Sequence, residues 1–440
     1  MKHLLFLISI SLGLSQSPLQ GYIKQAIENN LELKQKTFKY EQATQRLRKA
    51  KGMFLPHVDL NARYTRSGGG RTIDLPLGSM LNPLYSQHGL GTPFEDQHIR
   101  FLREKEHETK LTLTQHIFNL KIYNNYKLNA SLEEVALKEK DAFKHELIKE
   151  VTHAYLAVVK LEKVTRVYET NLHLLQENKR VTESLFKNGK VTQDAVYLAE
   201  VDLLSIKKQL NSVQNQLTLA KKYVNHLRNV ELSSAVETDD LPPLIETIKP
   251  LEELKEQALH SRNELKQLTH AIISAEYGKK IAAGSFFPNV LLSGTYGFQG
   301  EEYRFDSEHD YWMLSGVVQW NLFKGFQDRA ETEEKELEIM IYESMYNDVL
   351  GKIKLEVERA YTTLKTVRED LNISEVGIKN ASLAFHIVQK KYNEGLASYI
   401  EYLNALTKKQ NQELAHEINK INYRIQRAEL EYATGESYAN

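Results

Sequence analysis

The spacing of apolar residues changes between two periods along the chain, and each period predicts a different kind of element. Around residues 120–187, apolar positions recur at steps of three and four, which predicts one continuous helix of roughly 100 Å. Its apolar positions follow a heptad seam, typical of coiled-coil packing, formed by Val151, Ala154, Val158, Leu161, Tyr168, Leu172 and Leu175. In residues 57–66, apolar and polar residues alternate instead, which predicts a half-exposed strand.

Two short turns interrupt the helical pattern. The first turn, residues 186–192, contains Gly189, the only glycine of a long helical segment. This glycine predicts the end of one helix of a long hairpin, and Thr192 is predicted to cap the next helix. The second turn, residues 392–398, has a glycine and a serine at the matching positions. The sequence therefore predicts two helical hairpins with a glycine at each tip.

These elements occur twice because the chain is a duplication. Glu-Leu-Lys-Gln at 32–35 recurs at 264–267, and Phe-Leu-Pro at 54–56 recurs as Phe-Phe-Pro at 286–288. Each copy has the order helix, strand pair, long helix, tip and helix. The predicted parts are a first repeat (16–230, strands about 57–66 and 109–118), a connector (231–250) and a second repeat (251–440, strands about 289–299 and 311–320).

The remaining segments of the first repeat complete this outline. A helix is predicted over about 22–51, and Asn119 is predicted to cap the long helix. Residues 66–108 are rich in glycine, proline and charge, which predicts an irregular loop between the two strands. The two shorter helices together match the long helix in length, so they can stack end to end along it. The acidic connector contains three prolines, which predicts a non-helical segment.

Composition narrows the class of protein. Residues 1–15 combine Lys2 with an apolar run and small residues before a possible cleavage site, which predicts a secretory signal peptide. The chain has no cysteine, which suits an oxidising compartment, and a net charge of −1, which favours no nucleic acid partner. No other stretch approaches the roughly 20 apolar residues of a transmembrane helix. We therefore expect a periplasmic, secreted or outer-membrane β-barrel protein.

The four predicted strands favour the outer membrane. Trp312 and Trp320 are the only tryptophans, and they share one face of the last strand, as in the aromatic girdles of a membrane barrel. Two core tryptophans of a soluble sheet are the alternative interpretation. Four strands cannot close a barrel and lipid tolerates no open edge, so several chains must share one barrel. Three chains would give 12 strands, whereas two would give eight and leave no channel.

The duplicated order, the strand-to-helix junctions at Phe118–Asn119 and Phe323–Gly325, and the glycine tips resemble the TolC-type outer membrane efflux proteins. The resemblance covers essentially the whole mature chain. It implies a mostly α fold with a small β part. In that fold, duplicated long-helix hairpins form a periplasmic α-barrel, and four strands per chain contribute to a shared 12-stranded trimeric outer-membrane β-barrel. The family's Gly-Gly pair at the junction is absent here, and the first strand hairpin is longer than usual.

The function implied by this resemblance is the outer-membrane exit duct of a tripartite efflux pump. Such a duct is a homotrimer in outer-membrane lipid with a large periplasmic part. A periplasmic adaptor joins it to an inner-membrane transporter, whose small-molecule substrates it conducts passively. The alternatives are an exit duct for type I protein secretion and, from a different class, a coiled-coil surface adhesin or structural fibre.

Enzyme chemistry and metal binding find little support in the sequence. Neither phosphate-loop nor metalloprotease nor nucleophile-elbow motifs are present, so we expect no catalysis and no cofactor. The histidines in or near the first outer loop lack the paired spacing of a metal site and are expected to be solvated: His88, His98, His107 and His116.

The resemblance also implies roles for residues at the tips. Those expected to contact the adaptor are Gly189, Thr192, Gly395 and Ser398. Glu401 and Asn404 match positions whose acidic residues ring the closed entrance in the family, and asparagine halves that charge. Glu401 fits a capping box with Ser398 equally well. Tyr392 matches a tyrosine that latches the closed tips, with Asp194 as a possible partner, and a packed aromatic residue is the alternative.

Overall fold

The computed structural model describes residues 17–239, 241–244 and 247–436. The predicted signal peptide, residues 1–15, lies outside the described residues. The chain forms two compact units. A helical unit comprises the segment up to Ala43, Leu132–Ile272 and the segment from Met340 onward. A sheet-bearing unit comprises Thr44–Ser131 and Ile273–Ile339.

The element order repeats itself, as the duplication predicts. The first repeat contains α1 Pro18–Asn29, α2 Leu31–Gly52, β1 His57–Arg66, β2 Thr72–Leu75, α3 Leu77–Gln87, β3 Gln97–Arg100, β4 Lys105–Phe118, α4 Leu120–Lys187 and α5 Gln193–Leu227. The second contains α6 Leu251–Ser261, α7 Asn263–Ala283, β5 Asn289–Gly300, β6 Asp310–Gln319, α8 Gln327–Asn393 and α9 Tyr399–Thr434. In the part of the chain that the structure describes, none of the helices is long and apolar enough to span a bilayer.

The single first helix predicted over about 22–51 is wrong, because Asn30 divides it into α1 and α2. The Asn30 Oδ1 accepts the N–H groups of Glu32 and Leu33, both at 3.0 Å, and so caps α2. Its Nδ2 donates to the Leu227 carbonyl near the end of α5 over 3.2 Å. Arg262 divides α6 from α7 in the same way and donates to the Ala433 carbonyl in α9. At each break, the side chain therefore donates a hydrogen bond to the last turn of the helix that follows the tip, which is α5 for Asn30 and α9 for Arg262.

The core of the helical unit follows the predicted heptad seam. Val151 and Val158 of this seam on α4 are fully buried, as are Val357 and Leu364 at the matching positions of the second repeat on α8. At about 25 cal/mol per Å² of apolar surface, each such side chain contributes roughly 1.5–3 kcal/mol to folding.

At the N-terminal end of α4, the Asn119 Oδ1 accepts the Lys121 N–H over 2.9 Å, so this residue caps the long helix.

The sheet-bearing unit contains a four-stranded antiparallel sheet in the order β1-β4-β5-β6. Opposite residues share a face of such a sheet, so the register divides it into two chemically different faces. One face is mostly apolar and includes Val58, Leu60, Tyr64, Leu111, Leu113, Leu292, Tyr296, Phe298, Trp312, Leu314 and Val318. The other is mostly polar and includes Asp59, Asn61, Arg63, Glu108, Lys110, Thr112, Thr295, Gln299 and Ser315.

The irregular loop predicted over 66–108 is wrong, because this segment contains β2, α3, β3 and the first residues of β4. Asp96 organises the insert: its Oδ1 accepts the Ser79 N–H over 2.8 Å, and its Oδ2 accepts the Ser79 hydroxyl over 2.7 Å. Asn82 exchanges two hydrogen bonds with the backbone of Phe94. The insert is therefore held by side-chain hydrogen bonds. It lacks the continuous apolar periodicity from which helices and strands are predicted.

Candidate functional site

The first tip is a left-handed glycine cap that ends α4. Gly189 has φ 68°, a conformation that side chains with a Cβ disfavour. The Gly189 N–H donates to the Phe186 carbonyl and the Lys190 N–H to the Leu185 carbonyl, both over 2.9 Å. This pair of bonds is a Schellman motif, which satisfies the last carbonyls of the helix.

The second tip repeats this geometry at the end of α8. Gly395 has φ 75°, its N–H donates to the Tyr392 carbonyl over 2.9 Å, and the Leu396 N–H donates to the Lys391 carbonyl over 2.8 Å. A Cβ built on Gly395 would lie 3.5 Å from the Lys190 Cδ. The two tips are therefore neighbours in the helical unit.

The two helices that follow the tips begin differently. At the start of α9, Ser398 and Glu401 form a complete capping box, as one of the two interpretations of Glu401 predicts. The Glu401 N–H donates to the Ser398 Oγ over 3.2 Å, and the Ser398 N–H donates to the Glu401 carboxylate over 2.7 Å. Thr192 occupies the predicted N-cap position of α5, but its side chain makes no capping hydrogen bond.

Glu401 keeps its side chain in solvent while it caps the helix. The Ser398 N–H is the main cause that lowers the pKa of this carboxyl below its usual value. Asn404 lies one turn further along α9 and is also exposed. The cap therefore leaves the Glu401 carboxylate ionised and accessible, and its place in an acidic ring remains a prediction.

Tyr392 bonds to a residue other than the one predicted. Its side chain is 1% exposed, and its hydroxyl lies 2.8 Å from the Thr182 Oγ1 on α4. Thr182 donates its own proton to the Asn178 carbonyl over 2.8 Å, so the Tyr392 hydroxyl donates to Thr182. Asp194 is exposed in the first turn of α5, and the predicted pairing of Tyr392 with Asp194 inside one chain is wrong. Burial raises the pKa of Tyr392.

The tips contain a second hydrogen bond that the sequence does not predict. The Tyr399 hydroxyl on α9 donates to the Asp202 carboxylate on α5 over 2.6 Å. Tyr392 and Tyr402 pack with ring centroids 4.9 Å apart, and the Phe385 ring lies 5.6 Å from that of Tyr402. The recurrence of tyrosine around the second tip was the signal in the sequence for this cluster. The two tyrosine bonds join both helices of the second hairpin to those of the first.

The histidines in or near the first outer loop are not arranged as a metal site with three or more side-chain ligands. Within the described ranges, no group of three or more His, Cys, Asp or Glu side chains is arranged to hold a metal ion. His88, His98 and His116 are exposed as predicted, and His98 pairs with Asp74 at 2.5 Å. His107 is fully buried, so the prediction that it is solvated is wrong.

The chain combines duplicated long helical hairpins, which have paired glycine tips, with a small sheet that has one apolar and one polar face. This combination defines a class of outer-membrane channel proteins. The model of the outer membrane efflux protein family matches residues 22–227 and 254–436, and the chain belongs to this family. The predicted resemblance and the mostly α fold class with a small β part are confirmed. The family assigns the chain to the outer membrane and to transport.

Relatives with known roles are distant in sequence. The chain is 23% identical over 241 residues to the solvent efflux pump outer membrane protein SrpC of Pseudomonas putida, a match that covers 52% of this chain and 51% of the relative. The toluene efflux pump outer membrane protein TtgI, also of Pseudomonas putida, matches with the same identity and coverage. The chain thus spans about half the length of these curated relatives.

Solved structures share the fold over nearly the whole chain. The Campylobacter jejuni CmeC outer membrane channel aligns with a TM-score of 0.80 at 17% identity, covering 95% of this chain and 85% of that one. VceC from Vibrio cholerae aligns with a TM-score of 0.80 at 19% identity, covering 96% of both chains. At these identities the likeness establishes the fold.

Proposed function

We propose that the chain is the outer-membrane exit duct of a tripartite efflux pump and that it conducts small molecules passively as a homotrimer. The observation that carries the proposal is the sheet: among the described residues, β1 and β6 are edge strands that pair on one side only. Lipid leaves unpaired backbone groups unsatisfied, so other chains must continue the sheet until it closes. Three copies give 12 strands, enough for a channel.

The chemistry of the two sheet faces supports a membrane position. The apolar face exposes Trp312 at 76% and Leu314 at 65%, which would be unfavourable in water but fits contact with lipid. Trp320, 57% exposed just beyond the end of β6, supplies a second aromatic group for the girdle at the other interface. The exposure of both side chains argues against two core tryptophans of a soluble sheet. The polar face, with Arg63, Glu108 and Lys110, then lines the lumen.

The tips are the proposed contact with a periplasmic adaptor, which links the duct to an inner-membrane transporter. Gly189, Thr192, Gly395 and Ser398 present backbone and small side chains, so a helical-hairpin partner can approach them closely. Because the adaptor lies in the periplasm, tips that contact it place the large helical part in the periplasm. The solvent and toluene efflux roles of the two relatives favour small apolar molecules as the cargo.

The resting duct is closed at the tips in this proposal. The bonds Tyr392–Thr182 and Tyr399–Asp202 hold the second hairpin against the first. In a trimer, one exposed Glu401 becomes three, and a ring of carboxylates favours cations at a constriction. Asn404 adds no charge to that ring.

A deletion strain tests the function. We expect loss of the gene to raise sensitivity to apolar solvents and drugs, and the wild-type gene to restore resistance. Secreted proteins are compared in the same strains. Unchanged solvent and drug sensitivity together with the loss of one secreted protein would overturn efflux and favour type I secretion. Extraction from the membrane without detergent would favour the adhesin or fibre.

A further inference from the structure

The turn between β5 and β6 has a charge that suits a cation. Residues 300–310 contain five carboxylate side chains and one arginine. The negative potential of such a turn raises the local concentration of divalent cations. Two histidines, His107 on β4 and His309 in the turn, bring imidazole nitrogens into this setting.

His107 is a buried polar side chain without a partner. It is 0% exposed, and neither of its ring nitrogens has a hydrogen-bond partner. The Tyr303 ring stacks on it with centroids 4.4 Å apart and closes one face of the imidazole. Burying an imidazole without a hydrogen bond is unfavourable, so such a group favours a bound ligand.

Three potential ligand groups lie close together around Gly300. A Cβ built on Gly300 would lie 3.4 Å from the His107 Nε2, 2.9 Å from the His309 Cδ2 and 3.5 Å from the Glu302 carbonyl oxygen. Gly300 lies directly opposite His107 in the sheet register. A Cβ at this position would clash with the His309 ring, so the absence of a side chain at Gly300 lets the two imidazoles approach each other.

Asp306 orients the second imidazole. The His309 Nδ1 lies 2.5 Å from the Asp306 Oδ1, which is hydrogen-bonding distance. An ionised carboxylate only accepts, so the His309 Nδ1 donates to Asp306; in the neutral imidazole, the free lone pair is then on the Nε2, which is bonded to the Cδ2. A carboxylate that holds the distal nitrogen of a histidine is the usual support of a metal ligand. The Gln299 N–H donates to the His309 carbonyl over 2.9 Å and fixes the backbone of the turn.

We propose that His107 and His309 bind a divalent transition-metal ion such as Zn²⁺ above Gly300, with Asp306 as a positioning residue. Imidazole nitrogen is a preferred ligand of zinc, copper and nickel. The described residues supply no group of three side-chain ligands, so the Glu302 carbonyl and water would have to complete the ligand set. A bound ion would cross-link β4 to the β5–β6 turn at one end of the sheet.

Titration calorimetry with Zn²⁺ tests the site on the purified, chelator-treated protein in detergent. We expect one Zn²⁺ per chain. His309→Ala should lower the affinity at least tenfold because a ligand is lost. His107→Phe should do the same while it keeps the ring stacked against Tyr303. His88→Ala, which removes an exposed histidine of the insert, is the matched control and should leave the affinity unchanged.

Spectroscopy separates this site from metal bound elsewhere. Electron paramagnetic resonance of the Cu²⁺-loaded protein should show two coordinating nitrogens, and His309→Ala should leave one. Asp306→Asn should lower Zn²⁺ affinity about tenfold with the two-nitrogen spectrum kept, since its role is orientation. Absence of stoichiometric binding, or binding unchanged in His309→Ala, would overturn the proposal. If His107→Phe fails to fold, metal binding by His309→Ala alone decides whether the proposal holds. Metal binding is measured on the purified protein without any export assay. A protein that binds no metal would therefore leave the proposed function intact.

Discussion

The Tyr399 hydroxyl donates to the Asp202 carboxylate over 2.6 Å and joins α9 to α5 beside the tips. Tyr399 is 5% exposed, and burial is the main cause that raises its pKa, so it remains a protonated donor at physiological pH. Tyr392 and Thr182 form the corresponding bond between α8 and α4. Each helix of the second hairpin is thus held to one helix of the first.

Tyr399→Phe is expected to bias the duct towards its open state. A hydrogen bond to a charged group contributes about 1.5–3 kcal/mol, against about 0.5–1.5 kcal/mol for the neutral Tyr392–Thr182 bond. The effect of Tyr399→Phe on planar-bilayer conductance should therefore exceed that of Tyr392→Phe, and trimer symmetry repeats both three times. Tyr197→Phe is the control, because Tyr197 is exposed on α5 and bonds only within its own helix. Wild-type conductance in Tyr399→Phe would rule out this latch.

Glu401→Gln should weaken the preference for cations without opening the duct. Glutamine keeps an acceptor for the Ser398 N–H, so the capping box survives while the charge is lost. Reversal potentials across a salt gradient measure the preference, and Asn404→Gln is a neutral control one turn away. If cation preference in Glu401→Gln equals that of the wild type, Glu401 is a helix cap only.

The same carboxyl predicts a pH dependence. Its pKa lies below the usual 4.5, first because the Ser398 N–H donates to it. A lowered pKa means that the ionised cap stabilises the folded tip at neutral pH and is lost as the pH falls through that lowered value. Cation preference should therefore persist below pH 4.5 in the wild type. The Ser398 hydroxyl also donates to the Glu401 carboxylate over 2.8 Å and helps to lower its pKa. Ser398→Ala should therefore shift the pH midpoint for the loss of cation preference to higher pH. An unshifted midpoint would contradict the coupling.

Substitution of the tip glycines should reduce export while outer-membrane abundance is kept. Valine at Gly189 or Gly395 must adopt a positive φ, at a cost of about 1–3 kcal/mol, so the tip distorts. Survival on an efflux substrate and immunoblots of outer membranes measure the two effects. Gly351→Val is the matched control, since Gly351 lies inside α8 with an ordinary φ and no atom close to its missing Cβ. Wild-type export in both tip variants would remove these glycines from the mechanism.

The sequence predicted the features that depend on local periodicity. Strand β1 spans the predicted residues 57–66, because alternation and the proline at 56 define both of its ends. The break at Asn30 escaped prediction, since asparagine is neutral within a helical pattern and acts here through a distant carbonyl of α5. The insert at 72–100 escaped for a similar reason: Asp96 and Asn82 hold it by side-chain bonds across the sequence.

At the tips, the sequence identifies the residues but not all of their partners. The sequence points to Tyr392 and Glu401, and it predicts the capping box because Ser398 and Glu401 are close in sequence. The bonds to Thr182 and Asp202 join residues about two hundred positions apart and depend on how two hairpins pack. A single sequence does not specify that register.

The number of chains in the solubilised protein decides whether the barrel is shared. The open edges β1 and β6 require neighbouring chains, so native mass spectrometry of the detergent-extracted protein should detect three chains of at most 50.8 kDa each. Cross-linking in intact cells guards against dissociation in detergent. A trimer is the predicted result. A stable monomer that conducts ions by itself would contradict the shared barrel.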